Sequence, residues 1–173
     1  MYDSYDYEDF DPDLLDPEFF DPGVLAFLLV LLLIGLVVSA IYYVIGALIY
    51  YNASKTNGFS DVAYISWIPI VNIYSFFLLT AKGEDDQTVR AAAKRNAIIY
   101  AVLTAVSFIP YLLVDIIATI AIIGFICYFT YRLFYRWTGG TGKAVLYTIL
   151  TIITLGLFFN IYGLMKMKKP FVA

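Results

Sequence analysis

Four long stretches of this chain are predominantly apolar, and the interruptions within them predict different elements. From Gly23 to Tyr51 there are 29 positions without a charge. At about 1.5 Å per residue, a helix of that length exceeds a hydrocarbon core of about 30 Å. Pro22-Gly23 suits a helix start, and Tyr42, Tyr43, Tyr50 and Tyr51 supply the rings that favour a membrane interface. This run, 23–51, is read as a span whose surplus length continues as helix. The second run, 62–81, is about long enough to cross but contains Pro69 and Asn72. Proline removes a backbone donor and disfavours the α conformation before it, which predicts a break here. The segment is either a kinked span or a re-entrant hairpin that enters and leaves on one side.

The third run, 96–137, would measure about 63 Å as one helix, too long for one crossing. Pro110 divides it, which predicts a helical hairpin. The fourth, 144–165, is interrupted by Gly156, Asn160 and Gly163 and ends in Lys166-Met-Lys168-Lys169; it too is read as a broken or re-entrant helix. Asn72-Ile-Tyr74 recurs as Asn160-Ile-Tyr162, each time between an apolar run and a short apolar stretch ending in lysine (Lys82; Lys166). Three matching residues are little evidence of duplication, but the shared layout suggests a common plan. The expected fold is thus an all-α integral membrane protein, a small helical bundle. Residues 1–22 form an acidic tail, 23–169 a polytopic membrane domain and 170–173 the C-terminal end.

Composition reinforces this class: 62% of residues are hydrophobic and 14% charged, against roughly 25% charged in soluble domains. The chain has no histidine and one cysteine, Cys127. There is then no intrachain disulfide, and the commonest metal ligand and general base is missing. No cofactor, metal or nucleic-acid partner is expected.

Charge gives the chain a direction. Residues 1–21 hold nine of the 14 carboxylates and no base, while all 11 Lys and Arg lie after residue 54. A signal peptide would begin with a basic region and have a shorter apolar run, so the tail is expected to be retained. If all four runs were single crossings, the bases would divide seven to four between the two sides. With one span, one hairpin and two re-entrant segments, all 11 fall on one side and the tail on the other. Lys and Arg favour the cytoplasmic side, so the second arrangement is preferred, with the N-terminus outside and the C-terminus in the cytoplasm. A five-span variant with one broken helix stays open.

Candidate chemistry is sparse. Asp115 is the only carboxylate within a long apolar run; it either lies near the outer interface after the Pro110 turn or pairs inside the bundle with Asn72 or Asn160. Arg132 and Arg136, four apart among Tyr128, Tyr131 and Tyr135, read as an interfacial anchor touching lipid headgroups, as do Lys166, Lys168 and Lys169 at the C-terminal end. Residues 82–95 order acidic before basic residues, as a helix dipole favours, and predict a surface helix leading into the membrane. Trp137-Thr-Gly-Gly-Thr-Gly-Lys143-Ala144 is not a phosphate loop: Trp137 stands where glycine is needed, and Ala144 where Ser or Thr is needed. It reads as a flexible connection. Gly35 and Ser39 form a small-x-x-x-small pair that would let another helix approach, a spacing that ordinary membrane composition also produces. In the tail, Phe10, Asp11, Asp13, Leu14, Leu15, Phe19 and Phe20 alternate acidic and apolar character between Asp-Pro pairs. They offer anchors for a groove on a basic partner, or else form a solvating leader or lie along the membrane surface.

Gly58 to Lys82, with Ile68-Pro69-Ile70-Val71-Asn72-Ile73-Tyr74 at its centre, resembles a recurring block in small, uncharacterised bacterial polytopic membrane proteins, where a long first span leads to an I-P-x-x-N-x-Y core. The likeness is specific over about 25 residues and leaves out the tail. It implies the architecture and a bacterial cytoplasmic membrane location, and no mechanism. Two functions fit. One is a non-enzymatic accessory, regulatory or immunity-type subunit, associated with the bilayer and with a larger membrane protein or a second copy. The other is a small transporter or channel component with a polar path near Asn72, Asp115 and Asn160.

Overall fold

A computed structural model describes residues 21–172, and among them every regular element is helical. Helix α1 spans Pro22–Thr56, a 3-10 turn follows at Ala63–Trp67, and α2 covers Asn72–Thr80. Then come α3 (Asp86–Val106), α4 (Leu112–Thr138), α5 (Thr141–Ile153) and α6 (Leu157–Lys166). Two of these, α1 and α4, are long and apolar enough to cross a membrane. The tail residues Phe10, Asp11, Asp13, Leu14, Leu15, Phe19 and Phe20 lie outside the described residues.

The chain divides into two compact units, residues 1–41 and 42–173. The described part of the first is the beginning of α1. Every residue from Asp21 to Ile41 is exposed although nearly all are apolar. A helix apolar on every side has no face that selects water.

In the second unit, α2 is enclosed: Ser75 through Thr80 are all buried. Phe77 packs edge-on to Phe129 of α4 at 4.9 Å and lies 6.1 Å from Tyr100 of α3. A second aromatic cluster joins α4, α5 and α6, with Phe134 and Trp137 against Phe159 and Tyr162, and Tyr147 4.8 Å from Tyr162. Tyr50 of α1 touches both clusters, through Phe76 and Phe159. Gly163 permits the close approach of α6 to α1, because a Cβ there would stand 2.7 Å from Ile49 Cδ1.

Helix α3 is a single helix from Asp86 onward, so the expected surface helix and the first arm of the hairpin are continuous. No proline or glycine stands between Gln87 and Ile109 to divide them. Its start is a capping box: the Asp85 carboxylate accepts from the Thr88 N–H at 2.6 Å, and the Asp85 N–H donates to Thr88 Oγ1 at 3.3 Å. The connection at Gly139-Gly140 is tighter than a flexible loop. Gly139 (φ 68°) ends α4 in the left-handed conformation, and Gly140 precedes the first turn of α5.

Three turns lie where the sequence breaks its helices. The backbone reverses at Ser107–Tyr111 around Pro110, at Ile68–Val71 around Pro69, and at Thr154–Gly156. Ile70 (φ 69°) and Leu155 (φ 50°) are the non-glycine residues with positive φ among those described, one at each of the last two turns. The α5 end closes as a Schellman motif: the Gly156 N–H donates to Thr151 O and the Leu155 N–H to Ile152 O, while Thr154 Oγ1 accepts from the Phe158 N–H at the start of α6. Phe108, Ile70 and Leu155 are among the most exposed apolar side chains, at 81%, 89% and 86%. The Asn-Ile-Tyr echo is offset by three positions: Asn72 follows Ile70 by two residues, whereas Asn160 follows Leu155 by five.

Candidate functional site

Opposite these turns, the ends of α1, α2, α4 and α6 are tied together by polar contacts. Asn57, just past α1, accepts from the Phe171 N–H at 2.8 Å, and the Val172 N–H donates to Arg136 O at 2.8 Å. Thr56 Oγ1 donates to Met167 O at 3.4 Å. The residues after α6 thus form a strap over the ends of α1 and α4. Arg136 sits under it, with its guanidinium 4.3 Å from the Phe171 ring centre and its Nη1 donating to Leu79 O at 2.8 Å. Leu79 lies in the last turn of α2, where carbonyls lack helical partners, so Arg136 satisfies one of them with a cation at the favourable end of the helix dipole.

One turn earlier on α4, Arg132 has a different environment. Tyr128, Arg132, Tyr135 and Arg136, with Tyr131 beside them, follow the three- and four-residue spacing that puts side chains on one helix face. With Ala81, Lys82, Gly83, Val89 and Thr141 they line a cleft of about 590 Å³. Among the described residues no carboxylate lines this cleft, and neither Arg132 nor Lys82 forms an ion pair. The acids closest in sequence are engaged elsewhere or face solvent: Asp85 caps α3, Asp86 pairs with Arg90, and Glu84 is exposed.

The ion pairs among the described residues centre on Arg90. Its two terminal nitrogens meet both Asp61 oxygens at 2.9 and 3.0 Å, and its Nε meets Asp86 Oδ2 at 2.8 Å. This fork ties the segment after α1 to the start of α3. The hydrogen bond from Arg90 holds the Asp61 carboxyl below its ordinary range, and the two carboxylates raise the Arg90 guanidinium further. The Thr88 hydroxyl and N–H lower Asp85 in the same way.

The remaining sequence candidates are dispersed. Asp115 is exposed in the first turn of α4, 3.4 Å from Thr119 Oγ1, and lines a crevice with Ser107–Leu112 beside Pro110. Asn72 is half-buried at the start of α2, and Asn160 is buried within α6. Among the described cavities none is lined by two of these three. Pro69 and Pro110 lie in the breaks between helices. Lys166 stands 5.8 Å from the Tyr162 ring centre, and Lys168 and Lys169 are exposed. The Arg90 fork and the strap are absent from the sequence reading. The four-residue spacing of Asp86 and Arg90 signals one arm of the fork, and no local signal marks its Asp61 arm or the strap.

No family model, curated protein or solved structure matches the chain.

Proposed function

We propose that this chain is a multi-pass protein of the bacterial cytoplasmic membrane that acts without catalysis, as an accessory, regulatory or immunity-type subunit docked on a larger membrane partner. The observation that carries this reading is the start of α1. From Val24 to Ile41 the helix exposes apolar side chains on every face, so lipid or another membrane helix is its natural surrounding. Gly35 has no atom within 4 Å of where its Cβ would be, which leaves the Gly35–Ser39 notch open for a partner helix. On the orientation proposed, the acidic tail is outside and the bases line the cytoplasmic face; the joining of the ends of α1, α2, α4 and α6 supports that grouping.

Thiol labelling tests the orientation. In a Cys127→Ser background, single cysteines at Ser4, Lys55, Gly142 and Lys168 are probed with a membrane-impermeant maleimide on intact cells. Ser4→Cys alone is expected to react before lysis; early reaction at Lys168→Cys refutes the orientation. Native electrophoresis after mild detergent extraction tests docking. A complex larger than the monomer is expected, weakened by Gly35→Ile or by deletion of residues 1–21, and migration as a monomer refutes the subunit role.

A further inference from the structure

We infer that the cleft lined by Lys82, Tyr128, Tyr131, Arg132, Tyr135 and Thr141 binds an anionic phosphate group, carried on a lipid headgroup or free. Arg132 and Arg136, four apart on α4, both line the cleft, but their partners differ. Arg136 is committed to Leu79 O and the Phe171 ring. Arg132 is half-buried, lines an open volume of about 590 Å³ and has no acidic partner among the described residues. A guanidinium held partly out of water without a counterion favours an anion that its planar fork engages through two oxygens, and phosphate matches that geometry.

Lys82 adds a point charge from the segment after α2, and Tyr128, Tyr131, Tyr135 and Thr141, which line the same cleft, each carry a hydroxyl able to donate. The volume is in the range of small-molecule sites and exceeds what one phosphate fills, leaving room for the alcohol esterified to it. Tyrosines alone would equally suit a quaternary ammonium, but three cations, Lys82, Arg132 and Arg136, with no carboxylate in the lining oppose one. The cleft therefore selects a phosphate ester with net negative charge over a zwitterionic one. The position on the last turns of α4, at the end of a helix long enough to cross a bilayer, puts it at headgroup level if the membrane reading above holds. The lipid source rests on that reading, and the phosphate chemistry does not.

The test is isothermal titration of the full chain in a non-ionic detergent with three probes: dihexanoylphosphatidylglycerol, dihexanoylphosphatidylcholine (both below their micelle concentrations) and sodium phosphate. Saturable binding of the glycerol lipid is expected, at least tenfold tighter than of the choline lipid. Arg132→Gln should weaken it at least tenfold, Arg132→Lys should restore part of the loss, and Lys82→Gln should weaken it several-fold. The pair Lys168→Gln/Lys169→Gln, exposed and outside the cleft, should change it less than twofold. Equal binding of phosphate and the glycerol lipid identifies the oxyanion as sufficient, and a preference for the lipid identifies the headgroup as the source. Unchanged affinity in both Arg132→Gln and Lys82→Gln, or an equal loss in the Lys168→Gln/Lys169→Gln pair, overturns the proposal. Alkaline extraction of the same chain from membranes reports on the membrane reading separately, since release into the soluble fraction leaves the phosphate titration intact.

Discussion

Gly163 gives a sharp quantitative test of how α6 packs on α1. An alanine there would place its Cβ 2.7 Å from Ile49 Cδ1, 3.2 Å from Cγ2 and 3.3 Å from Cγ1, and Ile49 is fully buried. Alanine is favoured over glycine inside a helix by about 0.8–1.0 kcal/mol. Forcing an extra methyl into a packed contact costs about 1–3 kcal/mol. The net expectation for Gly163→Ala is a loss of about 0–2 kcal/mol. Ile49→Val removes the atom at 2.7 Å and on its own costs about 0.5–1.5 kcal/mol. With Cδ1 gone the worst contact relaxes to about 3.2 Å. In that background Gly163→Ala should then be neutral or slightly stabilising, a favourable coupling of about 1–2 kcal/mol. The assay is reversible unfolding in mixed micelles by SDS titration, followed by circular dichroism, for the two single variants and the double. Equal gains from Gly163→Ala in the Ile49 and Ile49→Val backgrounds would refute the close contact.

Three further perturbations probe the polar end of the structure. Phe171→Ala should cost about 1–2 kcal/mol in the same titration, through lost contact with Trp137 and the lost ring against the Arg136 guanidinium, and no loss would refute a stabilising role for the strap. Gly83→Ala should cost about 1 kcal/mol or more, because its Cβ would meet Thr88 Oγ1 and the Val89 backbone nitrogen and disrupt the capping box; amide exchange in the first turn of α3 should rise, and unchanged protection there counts against it. The Asp61 carboxyl is held below its ordinary value of 3.8 by Arg90, so its contribution is complete above that value and is lost as pH falls through the lowered one. Asp61→Asn should therefore flatten part of the acid-side fall in unfolding midpoint below about pH 4, and an unaltered slope would show the fork is not coupled to folding.

The helix breaks were readable because their causes are local. Pro110 and Pro69 each remove a donor and restrict the preceding residue, and α3 stops at Val106 while α2 waits until Asn72. Gly156 allows the left-handed backbone that ends the α5 turn. Positive φ at Ile70 and Leu155 had no such signal, since a β-branched or bulky residue is the last expected there. Glycine at 139 and 140 was misleading for a related reason: both suit flexible loops, yet one ends a helix and the other precedes the next. The difference between Arg132 and Arg136 is tertiary. Spacing places both on one face of α4 and in the lining of the cleft, but only the approach of α2 and the C-terminal strap gives Arg136 its fixed partners and leaves Arg132 without an acidic one. Long-range pairings such as Arg90–Asp61 leave no periodic trace in a single sequence.

Depth measured along α1 bears on the proposed arrangement in the bilayer. At one level, the Tyr43 hydroxyl donates to Trp67 O beside the Pro69 turn, and Tyr42 lies against Gly156 at the α5–α6 turn. At the other, Thr56 and Asn57 meet Met167 and Phe171. Those levels are 13 to 15 residues apart on or just past one helix, about 20 Å along its axis. A hydrocarbon core is about 30 Å thick. If the Lys55 end lies at the cytoplasmic interface, both broken segments turn back before reaching the far side, which favours re-entry over crossing. Turning inside lipid demands that the freed backbone groups be satisfied from within. The Schellman closure and the Thr154 cap do this at the α5–α6 turn, and the Asn72 N–H to Ile68 O bond contributes to it at the other. The apolar exposure of Ile70 and Leu155, unfavourable in water, is then the exposure a turn within hydrocarbon requires.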